Sequence, residues 1–451
     1  MAVRTKRDAK NLGREERLKR GQDQRRVLAR KDLGDFESSK RKISALDMLL
    51  NATEGRETSL LPVKYQRMSV SPFAFFRGAV SIMAADLGRY PSTGVQVQLC
   101  GDAHVQNMGC FATPDGHLVF DINDFDETIA GPWEWDVKRM ATSLVLAGGA
   151  SGHGSQDCTN AVETFAESYC TTVEMLAEQP LLTAARHIIR RLSKAQAVAK
   201  AFQQAERATP ADLVKKYAEK DGNGHLRFKA VEHVLWRVAG TEKQGVLQSL
   251  DGYRDSLSPD RQHLFKFFNE CDVAFKIVGT GSVALRDYVV LMENGETDPL
   301  FLQIKQEAHS AYAPYLKHTH YDHQGQRVVE GQRRIQALSD LLLGWTRIGD
   351  NDYLVRQLND HKGSVDLNAL KGDGLKSLAQ VAGELLARGH VRSGDPLEIK
   401  GYIGDVEKIA KGIVTFAMRY AEVTSNDFAE FNKAIKAGKI KVVEAKTAKA
   451  R

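Results

Sequence analysis

The stretch LCGDAHVQNMG at residues 99–109 decides the fold class and is the starting point for the functional interpretation. Asp102 and Asn107 lie five residues apart on a loop that leaves a short strand of alternating polarity. A Pro-Asp-Gly turn then predicts a hairpin over residues 109–124, which leads to Asp121. In phosphoryl transfer, one Asp takes a proton from the acceptor, an Asn holds a metal ion and a second Asp bridges that ion to the phosphates. The spacing therefore predicts a phosphoryl-transfer loop in which Asp102 is the catalytic base.

The acidic segment that follows, DINDFDE at residues 121–127, carries four carboxylates within seven residues. Hard divalent cations such as Mg²⁺ prefer oxygen ligands of this kind, although an acidic turn exposed to solvent has the same composition. We expect Asn107, Asp121 and Asp124 to form a metal site. Either aspartate suits the main metal position, and Asp121 is favoured because it follows the hairpin turn at the distance typical of kinases.

A third segment, GTGS, separates two β-rich runs, and a lysine follows on the next predicted strand. The residues expected to cover nucleotide phosphates are Gly279, Gly281 and Ser282, because glycine lets the backbone amides approach closely. Lys305 would hold the phosphates, and Glu330 on the following helix would be its ion-pair partner. For each feature taken alone, an ordinary hairpin turn or a solvated lysine is the alternative.

Four other side chains are secondary candidates. Asp136, in a helix that Pro132 opens, resembles a structural aspartate that supports the catalytic loop, with a helix-surface charge as the alternative. Arg77 and Arg356 are candidates for contacts with phosphate or substrate. The alternative for each is a role in packing or in a surface salt bridge. His104 together with the acidic segment leaves open a metal-dependent hydrolase.

The rest of the pattern predicts an α+β protein, and the low proline count of 11 in 451 residues favours helix. A capping Ser71 followed by proline predicts one helix that runs to Leu87. Further helices are expected from Pro132 and over residues 327–343 and 374–391. Strands are expected within residues 273–293, 298–307 and 352–358.

The predicted organisation has five parts. They are a basic N-terminal arm (1–59), a helix-rich catalytic lobe with the catalytic loop and metal site (60–271), a β-rich nucleotide-binding lobe (272–365), a helical C-terminal part that packs on the catalytic lobe (366–432) and a basic tail (433–451). Residues 1–42 are interpreted as a solvated, partly helical arm, with ordered structure from about Leu60.

The order of the motifs conflicts with an ordinary kinase, in which the glycine loop and the lysine precede the catalytic loop. Here Gly279 lies 177 residues after Asp102. We therefore expect a two-lobed protein-kinase-like fold that is circularly permuted, with an accidental likeness of one half as the alternative. Permutation requires only that the old termini lie close together and that the new ones open at the surface.

The net charge of +6 is unevenly distributed. Residues 1–42 hold 15 Lys and Arg against 7 Asp and Glu, and residues 433–451 hold 7 against 1. Residues 43–432 hold 41 basic and 49 acidic residues, so the body is acidic. This distribution argues against a nucleic-acid-binding core and leaves the basic termini as candidates for contact with an anionic partner.

The five cysteines are scattered and form no CxxC pair, so neither a disulfide framework nor a structural zinc site is expected. The N-terminus lacks the apolar region of a secretory signal, and no apolar run reaches the roughly 18 residues of a membrane span. A reducing cytoplasm is the simplest compartment.

Residues 60–425 resemble an uncharacterised bacterial family, domain of unknown function 2252. The likeness rests on segments that include LCGDAHVQNMG (99–109), FDINDFDETIAGPWEWDVKRMATSL (120–144) and GTGSVALRDYVVL (279–291). The family is similar to the protein-kinase-like and aminoglycoside-phosphotransferase-like superfamily, which implies ATP and Mg²⁺ as cofactors. The chain departs from kinases because it has neither an HRD nor a DFG motif, and Ala284 replaces the third glycine of the loop.

The function expected from these features is an ATP- and Mg²⁺-dependent phosphotransferase that acts on an unknown small molecule or protein. A nucleotide-binding pseudokinase with a regulatory role and a protein nucleotidyltransferase are the main alternatives. A metal-dependent hydrolase would need neither Lys305 nor the glycine loop. The acceptor, the transferred group and the oligomeric state are left open by the sequence.

Overall fold

A computed structural model of the chain describes residues 12–188, 196–208, 210–222, 224–231, 234–277, 283–295, 298–317, 320–358 and 362–443. The fold is α+β, as predicted, and its strands form several antiparallel sheets. In this part of the chain, no helix combines the length and the apolar character that crossing a membrane requires.

The N-terminal part is helical. Its helices are α1 (Arg14–Asp23), α2 (Ala45–Asn51), α3 (Leu61–Met68), α4 (Pro72–Gly78) and α5 (Val80–Leu87). The Ser71 hydroxyl accepts the amide of Ala74 at 3.1 Å and begins α4, as predicted. The single helix expected here is two helices, because the backbone leaves helical geometry at Ala79. Gly78 at this break packs on Met68, whose Cγ would lie 2.5 Å from an added Cβ.

Four short strands and one long helix form the next unit. The strands are β1 (Gln96–Leu99), β2 (Met108–Ala112), β3 (Leu118–Ile122) and β4 (Ile129–Pro132), and the helix is α6 (Trp133–Ala150). Strand β1 pairs with β4, whereas β2 and β3 form the predicted hairpin. Gly116 in the hairpin turn has a φ of +78°, which glycine adopts without strain. The loop that joins β1 to β2 contacts α6, which positions the candidate site.

A helix-rich stretch follows. Its elements are α7 (Ser155–Ala177), α8 (Leu181–Ala185), α9 (Gln196–Arg207), α10 (Pro210–Tyr217), β5 (Ala218–Lys220), β6 (Leu226–Phe228), β7 (Leu235–Arg237), α11 (Gly240–Ser256) and α12 (Pro259–Phe265). Strands β5 and β6 pair only with each other, whereas β7 joins the large sheet described next.

A six-stranded antiparallel sheet forms the second layer. Besides β7, its strands are β8 (Asn269–Lys276), β9 (Asp287–Asn294), β10 (Asp298–Gln306), β11 (Gly344–Ile348) and β12 (Asn351–Gln357). Helix α13 (Gln324–Ile335) lies between β10 and β11 in the chain. The strand order is β11-β12-β10-β9-β8-β7, so β10 lies near the centre. Helix α13 ends at Ile335, eight residues before the predicted end. The apolar residues beyond it instead enter the core beneath the sheet, where the Leu342 carbonyl accepts the Tyr253 hydroxyl at 2.6 Å.

The C-terminal part returns to the helical layer. It consists of β13 (Gly363–Ser364), α14 (Gly374–Ser393), α15 (Pro396–Ile403) and α16 (Val406–Lys436). Strand β13 pairs with β2 and so extends the hairpin to three strands. Helix α14 packs along α7, and α16 packs against both α6 and α7. A large apolar core is shared by these helices and by the strands β1 to β3.

The basic N-terminal segment differs from the expected solvated arm, because residues 12–59 pack on the body. Leu33 and Phe36 are buried, and α1 lies against α15. Arg17 donates two hydrogen bonds of 2.7 Å to Asp395, and Arg41 forms ion pairs with both Asp86 and Asp427. The opposite charges of segment and body therefore compensate each other within the chain. The first eleven residues lie outside the described part.

Candidate functional site

The loop Gly101–Asn107 joins β1 to β2 and is held from behind by α6. The Asp136 carboxylate accepts the backbone amides of Cys100 at 2.7 Å and Gly101 at 3.0 Å. Gly101 has a φ of +86°, and an added Cβ would lie 2.2 Å from the carbonyl oxygen of Glu127. Glycine is therefore required at this position, and Asp136 occupies the supporting position that the sequence suggested.

Asp102 lies at the front of this loop. Its Oδ1 accepts hydrogen bonds from Arg139 Nε at 2.8 Å and Nη2 at 2.5 Å, and its carbonyl oxygen accepts Asn107 Nδ2 at 2.9 Å. Burial raises the pKa of Asp102, and the adjacent Arg139 opposes this shift. Arg139, which the sequence interpretation missed, is completely buried and orients one carboxylate oxygen while the other faces His104.

His104 is a buried neutral imidazole. Its Nδ1 accepts the amide of Gln106 at 3.2 Å, and its Nε2 lies 3.6 Å from Asp102 Oδ2. Burial lowers the pKa of His104 well below its usual range, and the nearby Arg77 and Arg139 lower it further. The side chain thus shapes the loop and directs its remaining N–H toward Asp102.

The acidic segment splits into two groups, and this differs from the expected preference for Asp121. Asp121 lies on β3 and faces α14, where its Oδ2 is 2.5 Å from Nη2 of the buried Arg388. By contrast, the amide of Asn123 donates to the carbonyl of Asn107 at 3.0 Å, which brings Asp124 beside the catalytic loop. Asp124 and Asn107 line the same cavity. The carboxylate that lines the cavity beside Asn107 is therefore Asp124, which follows β3, and not Asp121, which lies on β3.

Lys305 approaches from the six-stranded sheet. Its Nζ donates to Asp126 Oδ2, which joins β10 to the acidic segment across 179 residues of sequence. Burial alone would lower the pKa of Lys305, but Asp126 and Asp124 outweigh it and hold that pKa above its ordinary value. Burial and the charge of Asp124 raise the pKa of Asp126. For Asp124, burial is outweighed by nearby cations, above all Lys305, and its pKa is lowered.

Two further cations, Arg356 and Lys362, act on Asp124 in addition to Lys305, and Lys276 lies near Lys362. Arg356 on β12 donates to Gln303 Oε1 at 3.0 Å, and Lys276 ends β8 in a buried position. Lys362 lies at the exposed edge of this group of cations. Lys276 and Lys362 were not identified from the sequence. These two lysines lie 86 positions apart, so no local sequence pattern brings them together.

One expected nucleotide-binding contact differs in the structure, and a second expected feature lies outside the described residues. Glu330 does not lie beside Lys305, because its carboxylate accepts Gln326 Nε2 at 2.8 Å and lies 3.7 Å from Arg334. The buried residue of α13 that reaches the acidic segment is Arg327, whose Nη2 donates to the Asp126 carbonyl at 2.8 Å. The loop residues Gly279, Gly281 and Ser282 lie outside the described residues.

A cavity of about 520 Å³ opens in front of these loops. Its lining includes Asp102, Asn107, Asp124 and Asp126, together with Arg77 from α4. Within the described ranges, no group of three His, Cys, Asp or Glu side chains is arranged to hold a metal ion by itself. Within those ranges, Asp124 Oδ1 and Arg77 Nε are nevertheless buried without a hydrogen-bond partner, so the cavity presents unsatisfied polar atoms of both signs.

The comparisons with known proteins identify a family but no characterised relative. No curated protein and no solved structure matches the chain. Residues 56–434, which are most of the chain, match the family described as "Uncharacterized protein conserved in bacteria (DUF2252)". The match spans α3 to α16 almost completely and includes every site residue discussed above. The chain therefore belongs to the DUF2252 family of bacterial proteins.

Proposed function

We propose that this cleft transfers a phosphoryl group from a Mg²⁺-bound nucleotide to an acceptor hydroxyl. The observation that carries the proposal is the meeting of Lys305 with the segment Asp124–Asp126, next to Asp102 and Asn107. A catalytic aspartate, an amide ligand, a second aspartate and a lysine from a separate sheet are the parts that kinases use.

The order of elements supports a kinase-like, circularly permuted, two-lobed arrangement. Strands β8 and β9 flank the glycine-containing segment, β10 carries Lys305, and α13 precedes β11 and β12. This is the succession expected for a nucleotide-binding lobe, in which the lysine strand follows the glycine loop and precedes a helix. The loop with Asp102 belongs to the helical layer and comes earlier in the chain, which is the reverse of the usual order.

The residues present fit a magnesium ion. Mg²⁺ is usually held by one or two carboxylates together with waters and substrate phosphates, so a closed protein cage is not required. Asp124 offers a buried oxygen without a hydrogen-bond partner among the described residues, and Asn107 lines the same cavity. Bound there with the nucleotide, the ion would neutralise charge on the transferred group.

The cations on the six-stranded sheet suit the phosphates of a nucleotide. Lys276, Lys305 and Arg356 lie on this sheet with Lys362 nearby, and the charges of Lys305, Arg356 and Lys362 lower the pKa of Asp124. Lys276 and Lys305 are buried, and bringing cations together in a buried region is costly unless anions compensate them. Asp124 and Asp126 supply part of that compensation, and we infer that nucleotide phosphates supply the rest.

Asp102 would act on the acceptor. The raised pKa of its carboxylate makes it a better proton acceptor than a solvated aspartate, while Arg139 fixes its orientation. The hydrogen bond from Asn107 to the Asp102 carbonyl keeps base and metal ligand at a constant spacing. Catalysis by such a site rests mainly on positioning and on charge stabilisation.

The test is label transfer from ATP that carries the label at either the γ- or the α-phosphate, with Mg²⁺ and a panel of hydroxylated acceptors. We expect γ-label in the product and loss of transfer in Asp102→Asn. A matched control is Asp115→Asn, at the exposed tip of the same hairpin. Transfer of α-label instead would establish nucleotidyl transfer, and full activity of Asp102→Asn would contradict the assigned base.

A further inference from the structure

Arg77 is a basic side chain of the cavity to which the proposed mechanism gives no role. It belongs to α4, and it lines the cavity together with Asp102 and Asp124. Helix α4 is tied to the catalytic loop, because Arg139 Nη2 donates both to the Phe76 carbonyl at 3.1 Å and to Asp102 Oδ1 at 2.5 Å. Arg77 therefore follows directly after a residue that is linked to the proposed base.

The charge of Arg77 lies within reach of both sides of the proposed reaction. Burial lowers the pKa of Arg77, and the charges of Asp102 and then Asp124 oppose this shift. These two carboxylates are the proposed base and the proposed magnesium ligand. In phosphoryl transfer the acceptor binds beside the base, and the metal ion binds the phosphates of the donor. A cation that interacts with both carboxylates is therefore near the path of the transferred group.

Arg77 has an unused donor although acceptors line the same cavity. Its Nε is buried without a hydrogen-bond partner among the described residues. The same holds for one carboxylate oxygen on each of Asp124, Asp126 and Glu307, which also line the cavity. A direct bond from Arg77 Nε to one of these oxygens would satisfy two buried groups, and none is formed among them. A ligand satisfies both kinds of group if it offers an oxygen to the arginine and a cation to the carboxylates.

A phosphate group with its magnesium ion has this dual character. Its oxygens accept hydrogen bonds from a guanidinium, and the ion that it carries binds carboxylate oxygens. Lys305 is assigned to the inner phosphates, since the corresponding lysine of kinases pairs with the α- and β-phosphates. The outermost phosphate is the one transferred, so it has to approach the acceptor beside Asp102, on the side of the cleft from which Arg77 enters.

We propose that Arg77 binds the γ-phosphoryl group of the nucleotide and stabilises its negative charge during transfer to the acceptor. This inference rests on the proposed phosphotransferase function. The acceptor oxygen forms a bond to the γ-phosphorus as the bond from that phosphorus to the β,γ-bridging oxygen breaks. The hydroxyl proton passes to Asp102, and the nucleoside diphosphate leaves with the bond electrons. Arg77 forms no covalent bond in this step, and its planar fork of donors suits the oxygens of a phosphoryl group.

The experiment compares two nucleotides that differ by the transferred group, by calorimetric titration of the full chain with Mg²⁺. They are ADP and an ATP analogue with an imido group between its β- and γ-phosphorus atoms. Arg77→Gln should weaken binding of the ATP analogue by at least about tenfold, because a charge-assisted hydrogen bond to the γ-phosphate is lost. Binding of ADP, which lacks that group, should change by less than about twofold. The matched control is Arg26→Gln, at a side chain that is 86% exposed, and it should change neither affinity.

Two results in folded Arg77→Gln would overturn the inference. Equal weakening for both nucleotides would indicate a general structural role, and unchanged binding of both would show that Arg77 does not contact the γ-phosphate. If Arg77→Gln does not fold, Arg77→Lys supplies the same comparison, since lysine keeps the charge and lacks the fork. Arg77→Lys should bind the ATP analogue at least about threefold more weakly than the wild type and bind ADP unchanged, and the same two results would count against the inference.

The two proposals fail in distinguishable ways. If the wild type binds both nucleotides and Arg77→Gln changes their affinities equally or not at all, the proposed nucleotide site stands and the role of Arg77 is lost. A wild-type protein that binds neither nucleotide contradicts the phosphotransferase function itself.

Discussion

The two ends of the segment 121–127 contain the same kind of side chain in opposite settings. At its start, Asp121 is buried against Arg388 of α14, and both side chains are at most 7% exposed. At its end, Asp124 and Asp126 lie beside an open cavity and meet a lysine from a different sheet. The first pair joins two elements of one packed layer. Both contain buried polar atoms without hydrogen-bond partners among the described residues, but those of Arg388 are enclosed in the layer, whereas Asp124 and Asp126 line the cavity.

This contrast separates a structural ion pair from a candidate reactive site. A buried pair enclosed between packed elements contributes to the fold, since removing one partner leaves an uncompensated charge. An unsatisfied cluster that faces a cavity costs stability and is explained more simply by a ligand. Within this segment, the surroundings of each carboxylate, rather than their number, distinguish the two ends.

The largest expected effect is on stability, from breaking the enclosed pair. Arg388→Met leaves the buried Asp121 carboxylate without its cation, so we expect the free energy of unfolding to fall by about 3–5 kcal/mol. Urea denaturation of the full chain measures this change. Lys376→Met, at an exposed position of the same helix, should change stability by less than about 0.5 kcal/mol. A loss below about 1 kcal/mol for Arg388→Met would show that the pair is not structural.

The next effect is on turnover, at the open end of the segment. Asp124→Asn removes the negative charge expected to bind Mg²⁺, so nucleotide turnover should fall by at least about 100-fold while the protein stays folded. Coupled detection of nucleoside diphosphate measures the rate, with Asp115→Asn as the matched control. If Asp121→Asn reduced turnover without destabilising the protein and Asp124→Asn did not, the assignment of the two ends would have to be exchanged.

A smaller effect concerns a buried carboxylate of the six-stranded sheet, Asp287 of β9. Burial raises its pKa from 3.8 to about 6, and its Oδ2 accepts Gln303 Nε2 at 2.6 Å. The folded protein therefore keeps a proton that the unfolded chain releases between about pH 4 and pH 6. Stability from this group is present below that range and is lost as the pH rises through it. Asp287→Asn should flatten the pH dependence of the unfolding free energy by on the order of 2 kcal/mol.

Urea denaturation at pH 4, 5, 6 and 7 for the wild type and Asp287→Asn measures this difference. Asparagine keeps the hydrogen bond and removes the buried charge, so the variant should be at least as stable as the wild type at pH 7. An unchanged slope between pH 4 and pH 6 would show that Asp287 is ionised throughout.

Much of the fold near the site was predictable because its signals are local. The cap at Ser71, the hairpin turn at Gly116 and the helix that follows Pro132 depend on a few adjacent residues. The break at Ala79 and the early end of α13 depend on packing against distant residues, which periodicity does not report.

The residues that line the candidate site were largely predictable, whereas the side chains that they pair with were not. Asp102, Asn107, Asp124 and Lys305 could be named from spacing alone, and all four are in or beside the cleft. The preference for Asp121 over Asp124 took no account of the ion pair between Asp121 and Arg388. Arg388 lies in α14, more than 260 residues later in the chain, so the local sequence does not reveal this partner. Arg139 and Arg327 were not predicted. A buried arginine is recognised by the carboxylate or carbonyl groups that it contacts, and the sequence alone does not show these contacts.

The central claim is that the acidic loops and the lysine-bearing sheet together bind a nucleotide. Calorimetric titration of the full chain with ATP, with and without Mg²⁺, and the same titration of Lys305→Met, test it most directly. The account predicts Mg²⁺-dependent binding by the wild type and at least about tenfold weaker binding by Lys305→Met, since a buried cation at the phosphates is removed. Absence of binding by the wild type, or equal affinity of the variant, would contradict it.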